Sequence, residues 1–198
     1  MSSANHLVVF ARAPELGRVK RRLAAVIGDV QAWRFYRRAT AEMLRRLSGD
    51  RRWRCWLAVT PDRFASTGRF WPARVRRIPQ GEGDLGARMM RSMRRLGAGS
   101  VVIIGSDIPG IQAAHIADAF ARLGRHDVVF GPATDGGYWL VGVRHPLVAS
   151  DLFRRVRWSS ADALSGTLAN LDRRQKVAFL ETLDDVDDAD SYARWRGG

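Results

Sequence analysis

Four short segments hold the residues most able to do chemistry. The first is Phe10-Ala11-Arg12-Ala13-Pro14-Glu15-Leu16-Gly17-Arg18-Val19-Lys20-Arg21-Arg22-Leu23, in which Pro14 and Gly17 shape a turn and a helix begins near Arg18. A helix N-terminus presents free N–H groups and the positive end of its dipole. Arg12, Arg18 and Lys20 add cationic donors, so a phosphate-bearing ligand would be stabilised there. The same residues also describe a solvated basic turn. Neither G-x-x-x-x-G-K-[ST] nor G-x-G-x-x-G occurs in the segment, which excludes a Walker loop and a dinucleotide fingerprint. The second segment, Gly105-Ser106-Asp107-Ile108-Pro109-Gly110, follows the run Val101-Val102-Ile103-Ile104. A carboxylate beside glycines at the end of a strand suits a hard cation such as Mg²⁺ or Mn²⁺, which makes Asp107 the first-choice metal ligand. The alternative is a turn aspartate bonding its own backbone ahead of Pro109.

The third segment, Gly131-Pro132-Ala133-Thr134-Asp135-Gly136-Gly137-Tyr138-Trp139, joins a carboxylate to two glycines and two aromatics, although Asp-Gly-Gly is also a hairpin turn. In the fourth, Gln80-Gly81-Glu82-Gly83-Asp84-Leu85-Gly86-Ala87-Arg88-Met89, an amide and nearby backbone groups can read a nucleobase edge. Asp84 equally suits the N-cap of the helix that follows. A late acidic cluster, Asp184-Asp185-Val186-Asp187-Asp188, could supply a second metal ligand or simply open a terminal helix. His6, His115, His126 and His145 lack metal-ligand spacing and read as structural or exposed.

These segments need a frame. Strand-like runs occur at Leu7 to Ala11, Trp53 to Thr60, Val75 to Pro79, Val101 to Gly105, Asp127 to Gly131, Tyr138 to Val143 and Val177 to Leu180. Helix-period stretches separate most of them, at Val19 to Ile27, Asp29 to Ser48, Leu85 to Leu96, Ala113 to Leu123 and Ser159 to Leu171. In the Asp29 to Ser48 stretch, Trp33, Tyr36, Met43, Leu44 and Leu47 share one face and the arginines lie largely off it. Met89 and Met93, one turn apart, read as core. Such alternation predicts a three-layer α/β/α arrangement with a mostly parallel central sheet, its centre at the fully apolar Val101 to Ile104 run. In such sheets ligands bind beyond the carboxyl ends of the strands, where all four segments fall.

At 198 residues, with 46% apolar and 27% charged residues, the chain predicts a single ordered domain over 1–198. No apolar run reaches the roughly 20 residues of a membrane helix, and the start lacks the pattern of a secretory signal, so a cytoplasmic location is expected. Cys55, the lone cysteine, reads as a buried thiol. The net charge of +13 raises nucleic acid as a partner. Of the 33 basic residues, however, only Lys20 and Lys176 are lysine, and the arginines are spread along the chain instead of forming one tract. That distribution reads as arginine-biased solvated faces, which disfavours a nucleic-acid partner.

In their order and spacing, F-A-R-A-P-E-L-G-R-V-K-R-R-L, Q-G-E-G-D-L-G-A-R-M, G-S-D-I-P-G, G-P-A-T-D-G-G-Y-W-L-V-G and the late D-V-D-D resemble a family of small bacterial glycosyltransferase-A-type proteins. These are nucleotide-diphospho-sugar transferases, some of the arsenosugar-biosynthesis type, related to the phospholactate and molybdenum-cofactor guanylyltransferases. The resemblance spans about Leu7 to Trp195. It implies that Arg12, Gly17 and Lys20 line nucleotide phosphates, that Gln80 with Gly81, Gly83 and Asp84 faces the base, and that Asp107 holds Mg²⁺ or Mn²⁺. It also implies that Asp135, Gly136 and Gly137 border the sugar or acceptor and that Asp187 completes the metal site. The family usually carries lysine at the position of Arg12 and threonine at that of Arg21. The first change replaces a compact ammonium by a planar fork, and the second a small hydroxyl by a large cation.

Two chemistries fit this resemblance. In glycosyl transfer, a metal on Asp107 neutralises the departing nucleoside diphosphate while Asp135 takes the proton of an acceptor hydroxyl. In nucleotidyl transfer, an acceptor phosphate attacks a nucleoside triphosphate and pyrophosphate leaves, without a strong base. The expected partners are therefore a nucleotide or nucleotide-sugar and an acceptor that the sequence does not name.

Overall fold

A computed structural model describes residues 4–68, 70–73, 75–96, 99–145, 151–184, 186, 188 and 191–193. Its strands are β1 (His6–Arg12), β2 (Arg54–Thr60), β3 (Arg76–Pro79), β4 (Val101–Gly105), β5 (Val128–Pro132), β6 (Tyr138–Val143) and β7 (Val177–Phe179). The helices are α1 (Arg21–Ile27), α2 (Asp29–Ser48), α3 (Arg63–Ser66), α4 (Leu85–Leu96), α5 (Ala113–Leu123) and α6 (Ala163–Leu168). One sheet holds all seven strands in the order β3-β2-β1-β4-β6-β5-β7.

The central strands are buried on both faces. Leu7 and Val9 of β1 and Val102 and Ile104 of β4 pack with Met43, Leu44 and Leu47 of α2 and Ile116 and Leu123 of α5. Their alternates Val8, Phe10, Val101 and Ile103 pack with Met89, Met90 and Met93 of α4 on the other face. The two-residue period of a strand thus makes two cores from one apolar run, which is why no polar alternation marks it.

The connections β1 to β2 and β2 to β3 build outward on one side, and β4 then returns to the other side of β1. Phe10 is paired with Gly105 in the parallel β1–β4 register. The carboxyl ends of β1 and β4 therefore open side by side at the point where the strand order reverses, the place where open α/β sheets bind ligands.

Three local features depart from the sequence expectations. β6 runs antiparallel to both β4 and β5. Its link to β5 is only the short Ala133–Gly137 turn, and a parallel return needs a dozen or more residues. α6 starts at Ala163 instead of Ser159, because Ser159 sits at φ 58, outside the helical region. That releases residues 158–162 to form a loop. Trp33 is half-buried, not part of the core stripe of α2; its indole N–H donates to the Pro14 carbonyl at 2.6 Å and Arg37 lies 4.7 Å over its ring. Among the described residues no helix is long and apolar enough to cross a membrane.

Candidate active site

Two cavities meet at the carboxyl ends of β1 and β4, and Leu85, Gly105 and Asp107 line both. The first, about 450 Å³, is the space between the β1–α1 loop and the ends of β3 and β4. Arg12, Arg18, Lys20 and Arg21 give it four cations, with Gln80, Tyr36 and Ser106 among the remaining lining.

The loop that carries these cations is tied down from below. Tyr36 Oη accepts the Arg12 N–H at 3.0 Å and donates to the Arg12 carbonyl at 2.9 Å, with Ser106 Oγ 3.2 Å away. Burial, and then the negative charge of Asp107, push the Tyr36 hydroxyl far above its ordinary pKa, so it stays a donor. One buried phenol thus fastens the end of β1 to the turn after β4. Lys20 heads α1 in a left-handed conformation, φ 50 and ψ 49, and its side chain is 4% exposed. Its Nζ lies 2.8 Å from Asp107 Oδ1, whose side chain is 53% exposed.

Asp107 is held at its backbone as well as its side chain. Its carbonyl accepts the Val186 N–H at 3.0 Å, so Val186 of the late acidic cluster lies directly beside it. Asp187, the expected second metal ligand, lies outside the described residues, as do Asp185 and Trp195. From the same cluster, Asp184 Oδ1 accepts the Thr134 hydroxyl at 2.7 Å, and Asp188 caps the terminal turn by accepting the Ser191 N–H at 2.9 Å. Among the described residues no group of three His, Cys, Asp or Glu side chains forms a metal cage. The donor at hand fits a cation that keeps most of its shell in water and phosphate: one partly exposed carboxylate facing a cation-lined cleft, the pattern of Mg²⁺ at phosphate sites.

Gln80 is buried and lines the first cavity, but its amide nitrogen is spent on the scaffold, donating to the Ala58 carbonyl at 2.9 Å and the Ala11 carbonyl at 3.3 Å. The residues around it do not line either cavity. Gly81 gives its N–H to Asp62, the Gly83 carbonyl accepts from the Arg88 guanidinium, and Asp84 Oδ1 accepts the Ala87 N–H at 2.8 Å as the cap of α4. Gly17 likewise turns the loop at φ 71 beside Asp29 without joining the lining.

The second cavity, about 310 Å³, is lined by the β5–β6 hairpin and the 158–163 segment. Asp135 lies here, exposed; its Oδ1 accepts the Gly137 N–H at 2.9 Å, and among the described residues its Oδ2 has no hydrogen-bond partner. The Asp-Gly-Gly sequence is therefore both the hairpin turn and the cavity wall. Gly137 lines the cavity and Gly136 does not; at φ 84, Gly136 lies so close to Ala161 that a Cβ would come within 2.3 Å of its carbonyl oxygen. Sequence reasoning missed Trp158, Ser159 and Ser160. The only signal was Gly86, a glycine inside a helix, where a Cβ would meet Phe153 and Trp158 at 2.6 and 2.8 Å. The histidines stay outside the site: His115 Nδ1 accepts the Gln112 N–H at the start of α5, and its Nε2 pairs with Glu181 at 2.8 Å. Burial pushes the Cys55 thiol up to about 12, which leaves it inert.

The sheet order, the two layers of helices and the cleft at the switch point define a nucleotide-diphospho-sugar transferase fold. A Desulfovibrio desulfuricans G20 protein described as a "putative nucleotide-diphospho-sugar transferase" shares it with a TM-score of 0.85 and 29% identity, over 98% of this chain and 95% of that one. The 4-diphosphocytidyl-2C-methyl-D-erythritol synthase of Anaerococcus prevotii DSM 20548 shares the fold at a TM-score of 0.66 and 10% identity, over 97% and 96% of the two chains. Rv0371c of Mycobacterium tuberculosis H37Rv, in complex with manganese, does so at 0.52 and 18%, over 98% and 97%. The chain belongs to the family described as "Uncharacterized protein conserved in bacteria (DUF2064)", which matches residues 43–160. Among curated proteins no relative matches it.

Proposed function

We propose that this chain transfers a sugar from a nucleoside diphosphate to an acceptor hydroxyl with the help of Mg²⁺ or Mn²⁺. One observation carries the reading. Asp107 stands where a cavity lined by four cations meets a second cavity lined, among the described residues, by no lysine or arginine. A phosphate-bearing donor suits the first and an acceptor without phosphate suits the second.

In this reading Arg12, Arg18, Lys20 and Arg21 take the diphosphate oxygens, with Gly17 shaping their loop. The base lies toward Gln80, whose surrounding turn Gly81, Gly83 and Asp84 hold in place. Asp107 holds the metal, with Asp187 as its second ligand. When bound, the metal supplies charge stabilisation for the leaving diphosphate. Asp135 Oδ2 accepts the acceptor hydroxyl proton, while Gly136 and Gly137 keep the hairpin close to the acceptor. The acceptor oxygen forms its bond to the anomeric carbon as the bond from that carbon to the phosphate oxygen breaks, and the electron pair leaves with the nucleoside diphosphate.

Four cations around one cleft also favour a second reading, nucleotidyl transfer from a triphosphate. Product identity separates the two. Incubation with nucleotide-sugars and Mn²⁺ is expected to release a nucleoside diphosphate. Consumption of a triphosphate, with pyrophosphate formed in the presence of a phosphate acceptor, would establish the second reading instead.

A further inference from the structure

Among the described residues the second cavity is lined by no lysine or arginine, and most of its side-chain donors are already committed. The Gly137 N–H is committed to Asp135, the Trp139 N–H to the Glu181 carbonyl at 3.1 Å, and the Ser160 hydroxyl to the Arg157 carbonyl at 2.8 Å. Thr167 gives its own proton to Ala163, so the Tyr138 hydroxyl, 3.4 Å away, is the donor in that pair. The Trp158 indole nitrogen is buried, away from the open space. Arg157, beside Trp158 in sequence, turns to Asp162 at 3.5 Å. What the cavity offers instead is carbon surface from three aromatic rings, the Ser159 hydroxyl and the Asp135 carboxylate, while Asp107 at the shared wall is paired with Lys20.

We infer, on the basis of the glycosyl-transfer reading, that the acceptor is a small hydroxyl-bearing molecule with an apolar ring or alkyl body and no phosphate, sulfate or carboxylate group. Its apolar body replaces water on the aromatic walls. Its hydroxyls are served by groups that accept protons, as Asp135 Oδ2 does. An anionic group would instead face like charge and unpaired desolvation. The volume, about 310 Å³, is at the small end of pockets that take small molecules, roughly 300 to 1,000 Å³.

The test compares phenyl β-D-glucopyranoside with its 6-phosphate by calorimetric titration of the full chain in Mg²⁺, with and without a saturating nucleoside diphosphate chosen from UDP, GDP, ADP and CDP. The neutral glucoside is expected to bind at least tenfold more tightly than the phosphate ester. Asp135→Lys should shrink or invert that ratio. Asp135→Asn, which keeps an acceptor oxygen for the Gly137 N–H, should shrink it without disturbing the hairpin. Equal or tighter binding of the phosphate ester, binding of neither probe, or a ratio unmoved in both variants would overturn the inference. Failure of all four nucleoside diphosphates to bind would instead overturn the glycosyl-transfer reading, while the titrations without nucleotide still report the charge preference of this cavity.

Discussion

The two cavities that share Asp107 are built by opposite means. The cation-lined one is a loop between a strand and a helix, its side chains long and charged and its backbone pinned by Tyr36 and Trp33. The aromatic one is a tight hairpin pressed against a second loop, with its polar groups turned inward to one another. In the proposed reading, the difference teaches how a single carboxylate could serve two substrates: one side supplies charge for a polyphosphate, and the other an aromatic wall without lysine or arginine among the described residues.

Removing the shared residue should have the largest effect. Asp107→Asn is expected to abolish the Mn²⁺-dependent part of nucleotide binding, measured by calorimetry. It should also cut turnover by about a hundredfold to a thousandfold, the usual scale for losing one preorganised electrostatic element. Unchanged metal dependence would place the metal elsewhere. Asp135→Asn should divide the two cavities cleanly. Nucleotide binding stays as in the wild type, while kcat falls by about a hundredfold or more, the low end of general-base catalysis. Equal losses in both would mean that the cavities are not separate.

Lys20→Ala carries two opposite expectations. Loss of a charge-assisted bond to phosphate should weaken nucleoside diphosphates by about 1.5 to 3 kcal/mol while sparing the uncharged nucleoside. Because Lys20 lies 2.8 Å from Asp107, the same change should strengthen binding of Mn²⁺ alone. Parallel weakening of both ligands would rule out competition for that carboxylate.

A glycine from each region sharpens the contrast further. Gly136→Ala meets both a left-handed backbone and the Ala161 carbonyl, whereas Gly17→Ala at φ 71 meets nothing closer than 3.6 Å. Thermal unfolding should show about 1 to 2 kcal/mol lost at Gly17, the cost of the backbone conformation alone, and clearly more at Gly136. The smallest effect lies at the far end of β1. His6 is buried and accepts the Trp56 indole N–H on Nδ1, and burial, then Arg54, lower its pKa. The unfolded chain therefore binds the proton more readily. The His6 contribution to stability is full above about pH 6.5 and is lost as pH falls through the lowered native value. A His6→Gln variant with a flatter stability profile below pH 6.5 checks this, and an unchanged profile would contradict it.

Much of this molecule was legible in its residues one segment at a time. α2, α4 and α5 have the limits their periodicity predicts, because an amphipathic stripe is a local property of the chain. The four chemistry-bearing segments follow strands, as apolar runs ended by glycine and proline indicate. Local reading left roles open where one residue type serves two masters. Asp84 caps α4, one of the two roles its position allowed, and Gly81 and Gly83 make hydrogen bonds within the turn. Trp33 looks like core and pins a loop.

The sequence by itself determined the alternation of strands and helices, the loops that follow the strands' carboxyl ends, and the choice of Asp107 and Asp135 as the carboxylates to watch. Only the tertiary structure decided that β4 lies against β1, that Lys20 reaches Asp107, that residues 158–160 complete a second cavity, and that the Ser160 hydroxyl and Trp139 indole in its wall are already bonded. The physical reason is range. Helix stripes and turns arise from neighbours a few residues apart, whereas strand order, shared cavity walls and the satisfaction of each N–H depend on segments that meet only once the whole sheet has closed.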